Sequence, residues 1–242
     1  MKKIVLFLSL IVIKAQAGIP PEIEASVKEN LVSQGFSPDG GAVIVPRSAL
    51  NIPKDMVETG RRNLAEQKKF GFYKEETDIP KQMLQMNETV DIKLVVSDKD
   101  HNSASSRLKR SISQIKLGYD FIPIPMSEIT KNLGFSANGG YNDGWNGVNQ
   151  FFIKDSIGTC VYMENNIKLS HASAKIAEDS VRYDVNEKIT TLEVKGTDTS
   201  GFLYTVEWFD SSYFRSLECA NIKHSDEITQ SVINLAQKID IK

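Results

Sequence analysis

The chain is short of cysteine and histidine and carries almost no net charge, and each shortage removes a class of function. Two cysteines and three histidines leave no C-x-x-C redox or zinc spacing. The histidines (His101, His171 and His224) form no metal-ligand spacing with one another or with a cysteine. A net charge of -2, from 29 basic and 31 acidic residues, supplies no field to draw nucleic acid or an anionic membrane. There is no G-x-S-x-G, no glycine-rich phosphate loop ending in Lys-Ser/Thr and no D-x-[DN]-x-[DN]-G order. The local signatures of a serine hydrolase, a P-loop nucleotide binder and an EF-hand are therefore absent. No catalytic residue, metal ligand or cofactor is expected from motif. Paired carboxylates leave no fixed spacing, so a hydrolase whose site only the fold assembles stays open.

Long apolar runs are scarce too. The single one, Ile4 to Ile13, follows Lys2 and Lys3 and precedes Ala15-Gln16-Ala17, which is the order of a secretory leader with cleavage before Gly18. A membrane span needs about 20 apolar residues, so no spanning segment is expected. The reading is a soluble protein exported to a bacterial periplasm or the extracellular space. Arg107 to Arg110 (RLKR) and the Asn87-Glu88-Thr89 sequon carry meaning only in a eukaryotic secretory pathway, and are read as unused. In an oxidising compartment Cys160 and Cys219 are expected to form one structural disulfide, since no basic cluster adjoins either to activate a thiol.

What is present is a pattern of two. In Ile189 to Cys219, Thr190, Leu192 and Val194 share one face, as do Phe202, Tyr204, Val206 and Trp208. Gly196 to Gly201 and Asp210 to Ser212 supply turns, so this stretch predicts a three-stranded antiparallel meander. Further strands are expected at 42–46, 89–96, 150–153, 159–163 and 181–185, the last pairing back through Asn186-Glu187. Ile167 to Ser170 reads as a further strand or as the start of a helix over 167 to 179, in which Ile167, His171 and Ala174 share a face. A pattern of 3.6 marks helices at 22–34, 54–70 and after Ser225, where Asp226 and Glu227 open a stripe of Ile228, Val232, Leu235, Ala236 and Ile239. The 54–70 helix is the most basic segment and reads as a solvated face. A short helix is expected at Ser127 to Leu133, stopped by Gly134-Phe135 as Gly35-Phe36 stops the first. GFSPDGG at 35–41 and GFSANGG at 134–140 are read as shared helix-stop chemistry, not duplication.

The expected architecture is α+β: a helix-rich N-terminal region, 18–110, and a C-terminal antiparallel sheet covered by the last helix, 111–242, or one continuous domain. Asn138 to Asn149 (NGGYNDGWNGVN) reads as a Gly/Asn loop, with Tyr141, Asp143 and Trp145 as candidate ligand-binding residues. The leading expectation is a non-enzymatic binding protein for a protein or glycan partner. A secreted hydrolase and a component of a cell-envelope assembly are the alternatives.

Overall fold

A computed structural model describes residues 41–86, 108–170 and 172–241. The leader at 1–17, the 22–34 helix, the 89–96 strand, the Asn87 sequon, His101 and His171 lie outside the described residues. Among the described residues there are nine strands: β1 (Gly41–Val45), β2 (Tyr73–Lys74), β3 (Lys131–Tyr141), β4 (Trp145–Lys154), β5 (Gly158–Asn166), β6 (Ser173–Ala177), β7 (Ile189–Thr197), β8 (Gly201–Phe209) and β9 (Tyr213–Asn221). The helices are α1 (Lys54–Phe70), α2 (Ile79–Leu84), α3 (Ile167–Ser170) and α4 (Asp226–Asp240). Seven strands form one sheet in the order β2-β7-β8-β9-β5-β4-β3, antiparallel except for β2, and β1 and β6 form a separate parallel pair. The fold is therefore α+β. Among the described residues no helix is long and apolar enough to cross a membrane.

Alternation sorts the large sheet into two faces. On the inner face Val194, Phe202, Tyr204, Val206, Trp208, Leu217, Tyr162 and Phe152 meet Val232, Leu235, Ala236 and Ile239 of α4 in one core. Each fully buried side chain of this size contributes about 1.5–3 kcal/mol over its exposed state. α4 starts where Ser225 accepts from the Ile228 amide, a cap worth about 1 kcal/mol. Beyond the reach of α4, the inner face of β3 and β4 is covered by the chain at 112–121, which brings Ile115 against Phe135, Ala137, Trp145 and Val148. Buried Gln150 ties that covering segment down, accepting from the Ile124 amide at 2.8 Å and donating to its carbonyl at 3.3 Å.

The sheet consists of two meanders, β3-β4-β5 and β7-β8-β9, joined by a single pairing of β5 with β9. Cys160 and Cys219 stand directly opposite each other in that pairing and are disulfide-bonded, with neither residue exposed. Next to the junction an ion network pins the end of α4. Asp240, whose side chain is 2% exposed, accepts from Trp208 Nε1 at 3.0 Å, Lys188 at 2.5 Å and Asn186 at 2.9 Å. Arg215 links Asp210 at 2.7 Å to Glu164 at 2.9 Å.

The outer face is covered at both ends. At one, Met83 and Leu84 of α2 sit on Leu203, Ala220 and Val161. At the other, Ala42, Ala174 and Ile176 of the β1-β6 pair sit with Ile167 on Phe209 and Phe214. α1 buries none of its residues, and Gly71 in the left-handed region stops it. Its Gln67 donates to the Leu192 carbonyl and accepts from the Val194 amide, so it completes the β7 edge where two-residue β2 runs out.

Three expectations are corrected. Ser127 to Leu133 is not a helix. Thr130 donates to the Ile153 carbonyl, and β3 begins at Lys131 with Leu133 only 1% exposed. Gly134, at φ 105°, is a bulge where the β3-β4 register shifts, so Gly134-Phe135 is no helix stop. Residues 181–185 contribute only a bridge, Arg182 to Thr190, closed through Asn186 and Glu187 at φ 46° and 62°. Neither reading of 167–179 holds: Ile167–Ser170 is the helix α3, not a strand, and the strand β6 at Ser173–Ala177 takes the place of a longer helix.

Two stability predictions follow from the junction. Replacing both cysteines by alanine releases a 59-residue loop and costs about 4 kcal/mol on the chain-entropy estimate. Urea titration reads this as a lower midpoint, and an unchanged midpoint counts against the staple. Asp240→Ala leaves Trp208 Nε1 without its acceptor and Lys188 with only the longer contact to Asp210 at 3.4 Å, and costs about 3 kcal/mol by the same titration; a change below about 0.5 kcal/mol removes the network from the account.

Candidate functional site

The Gly/Asn-rich stretch at 138–149 is the tip of the β3-β4 hairpin, and its composition follows from close approach. The segment before it passes over the turn: Gly118 donates to the Trp145 carbonyl and Trp145 to that of Lys116, each at 2.9 Å. A Cβ on Gly144 would lie 2.5 Å from the Gly118 nitrogen and 2.7 Å from the Leu117 carbonyl carbon. Only glycine fits there. Asparagine amides bind the rest: Asn138 to Asn149 at 3.2 Å, Asn149 to Ser136 at 3.2 Å, and the Gly140 amide to Asn146 at 2.8 Å. The side chain of Asn165 on β5 fills the space a Cβ of Gly147 would need.

This places the three candidate residues in different situations. Trp145 is 1% exposed and meets Tyr141 edge-on, with ring centroids 5.5 Å apart, so it is not displayed on a free loop. Tyr141 is half-buried. Asp143, at φ 54° and with its side chain 92% exposed, forms an ion pair with Lys116 at 2.5 Å, and that hydrogen bond holds its carboxyl below the usual range.

Behind the hairpin lies a cleft that no sequence motif marks. Gly139, Gly140 and Asn146 of the hairpin form one wall and Ala172, Ser173 and Ala174 the opposite one, with Phe209 and Phe214 between. The two phenylalanines stack, centroids 4.8 Å apart and planes at 20°. Asn165 and Ser170 add polar rim atoms to a mainly apolar floor. The cavity volume is about 40 Å³. That admits one small side chain or the edge of a ring, and it is far from the 300–1,000 Å³ that encloses a small-molecule substrate. No sequence signal joins Ala174 to Gly139; only the parallel β1-β6 pair, laid over Phe209 and Phe214, brings them together.

A second cluster occupies the middle of the outer face. Register places Thr191 opposite Glu207 and Glu207 opposite Ser216, while Glu193 faces Thr205 and Thr205 faces Glu218. Three glutamates thus stand on three adjacent strands, separated by hydroxyl residues. Burial pushes Glu207 up to about 7, and the neighbouring Glu193 and Glu218 charges act in the same direction against a hydrogen bond from Thr191. Burial also raises Glu218, with Glu193 adding to it and Lys195 opposing. Tyr73 donates to Glu193 at 2.5 Å, and Lys195 lies 3.1 Å from Glu75 and 3.8 Å from Glu193. Glu193 and Glu207 were visible in the alternation, yet nothing in the sequence showed that β9 would bring Glu218 beside them. Among the described residues no three His, Cys, Asp or Glu side chains are grouped to hold a metal ion.

No known protein family, curated protein or solved structure matches this chain.

The hairpin account is tested at two glycines. Gly144→Ala forces the 115–118 segment off the turn, costing about 2 kcal/mol or more and letting iodide quench Trp145 fluorescence. Gly140→Ala, whose new Cβ would come no closer than 3.7 Å to its nearest neighbour, is the control with little change. Equal behaviour of the two variants would contradict the close approach.

Proposed function

We propose that the protein is an exported, non-enzymatic binding protein that takes a partner at the cleft between the β3-β4 hairpin and the β1-β6 pair. The observation that carries this reading is the cleft itself: a stacked phenylalanine floor with asparagine and serine groups at its rim. An apolar floor with a few convergent polar groups suits one edge of a glycan ring or one apolar side chain of a protein partner. Its small volume favours surface recognition over enclosure of a substrate. Tyr141 and Asp143 stand on the same hairpin and extend the surface. Export is supported by the leader-like first 17 residues and by the Cys160–Cys219 disulfide, which suits an oxidising compartment.

The hydrolase reading has one observation in its favour, the neighbouring carboxyls of Glu207 and Glu218 with raised pKa. It requires both to reach solvent together, and burial is what raises each of them.

Ala174→Leu tests the cleft by filling it. The wild-type protein is screened on a glycan array and on displayed peptides, and the variant is compared on every hit. At least a tenfold loss of affinity with an unchanged melting temperature is expected. Retained binding moves the site elsewhere, and hydrolysis of arrayed ligands that Glu218→Gln abolishes replaces binding by catalysis.

A further inference from the structure

The glutamate row has a position relative to the cleft that gives it a second consequence. Glu207 and Phe209 are two residues apart on β8, on the same face, and their cross-strand partners on β9 are Ser216 and Phe214. The row therefore runs one pleat below the phenylalanine floor. Its charges are unbalanced. Lys195 is the one cation described on this part of the face, and it is engaged at the rim by Glu75 and Glu193. Glu193 also holds the Tyr73 hydroxyl. The hydrogen-bond donor facing Glu207 is a neutral hydroxyl, that of Thr191. Among the described residues no ion pair joins a second cation to the row. Asp78 and Lys81, flanking and on α2, are exposed, and Arg47 beside β1 is closed on Asp179 at 2.8 Å.

We propose that the row Glu193–Glu207–Glu218 is a pH-sensitive device under the cleft floor, holding the β8-β9 face closed while Glu207 keeps its proton and loosening it when Glu207 ionises. Ionisation places a carboxylate in a half-buried site diagonally between two other carboxyls, where more water must enter to solvate it. The strands give way first where Phe209 and Phe214 rest on the small β1-β6 pair, which has only two strands to hold it. The sign follows from linkage. Folded Glu207 keeps its proton up to about pH 7, whereas the ordinary value is 4.5. The folded state thus binds the extra proton between these limits, and stability from this face falls as pH rises from about 4.5 to about 7. Paired carboxylates such as Asp179, held low by Arg47, act oppositely and below this window. Comparison with a variant that cannot ionise therefore isolates the effect.

The test compares wild type with Glu207→Gln from pH 4 to pH 9, without any ligand, so its outcome is independent of what the cleft binds. The melting temperatures should coincide near pH 4 and separate above pH 7, with the variant higher by about 5 °C or more. Hydrogen-exchange protection at residues 205–218, corrected for intrinsic rates, should fall about tenfold in wild type between pH 6 and pH 8.5 and hold in the variant. A constant difference between the two proteins across pH, or equal protection, overturns the proposal. If Glu207→Gln does not fold, the carboxyl ¹³C resonance of Glu207 in the wild-type protein decides: a midpoint near 7 supports the device and one below 5 overturns it.

Discussion

Everything in this fold depends on the pairing of β5 with β9. Each meander alone is three strands with one apolar face, too little to close a core around Trp208, Tyr204 and Tyr162. Joined at eight residue pairs, they make a surface long enough for α4 to lie across, and the inner face becomes a single core. The disulfide sits at the second of these eight pairs, near one end of the junction, and the Asp240 network lies toward the other end. Covalent and ionic links therefore reinforce the one place where strands distant in sequence must find each other. That contact is the expensive one, because the intervening chain must be closed into a loop before the pairing stabilises anything.

The same alternation that builds the inner core leaves an outer face of mixed character. Its ends are apolar and covered, by α2 at one and by β1-β6 at the other. Its middle carries Thr191, Glu193, Thr205, Glu207, Ser216 and Glu218. The cleft arises where the covering pair stops short of the hairpin, so that Phe209 and Phe214 are left between Ala174 and Gly139. The proposed cleft and the glutamates share this face because strand pleating sets Phe209 and Glu207 two residues apart.

How much of this was legible follows from the range of each interaction. The β7-β8-β9 meander, α1, α4 with its Ser225 cap and the cysteine pair rest on periodicity, local capping or the pairing of the two available thiols, and all were readable. Ser127 to Leu133 failed because its Gly-Phe ending has two physical meanings, a helix stop and a strand bulge, and only the partner strand β4 decides between them. The hairpin failed similarly. Asn and Gly are poor strand formers, so 138–149 read as a loop, yet here Gly139, Gly144 and Gly147 each answer a close neighbour, and Asn138, Asn146 and Asn149 bond to amides of the hairpin. The same close approach explains why Trp145 lies inside. The cleft and the glutamate row were out of reach, since they depend on which strands become neighbours across long stretches of chain.

The central claim is that the two meanders form one cooperative sheet through β5 and β9, and native-state hydrogen exchange under EX2 conditions tests it most directly. If the claim holds, amides of residues 159–166 and 213–220 exchange only through global unfolding, with the same opening free energy as the core of β8. If the 131–166 and 189–221 meanders instead show two different opening free energies, with the β5-β9 amides following the lower one, the junction is a seam between separate units and the account is wrong.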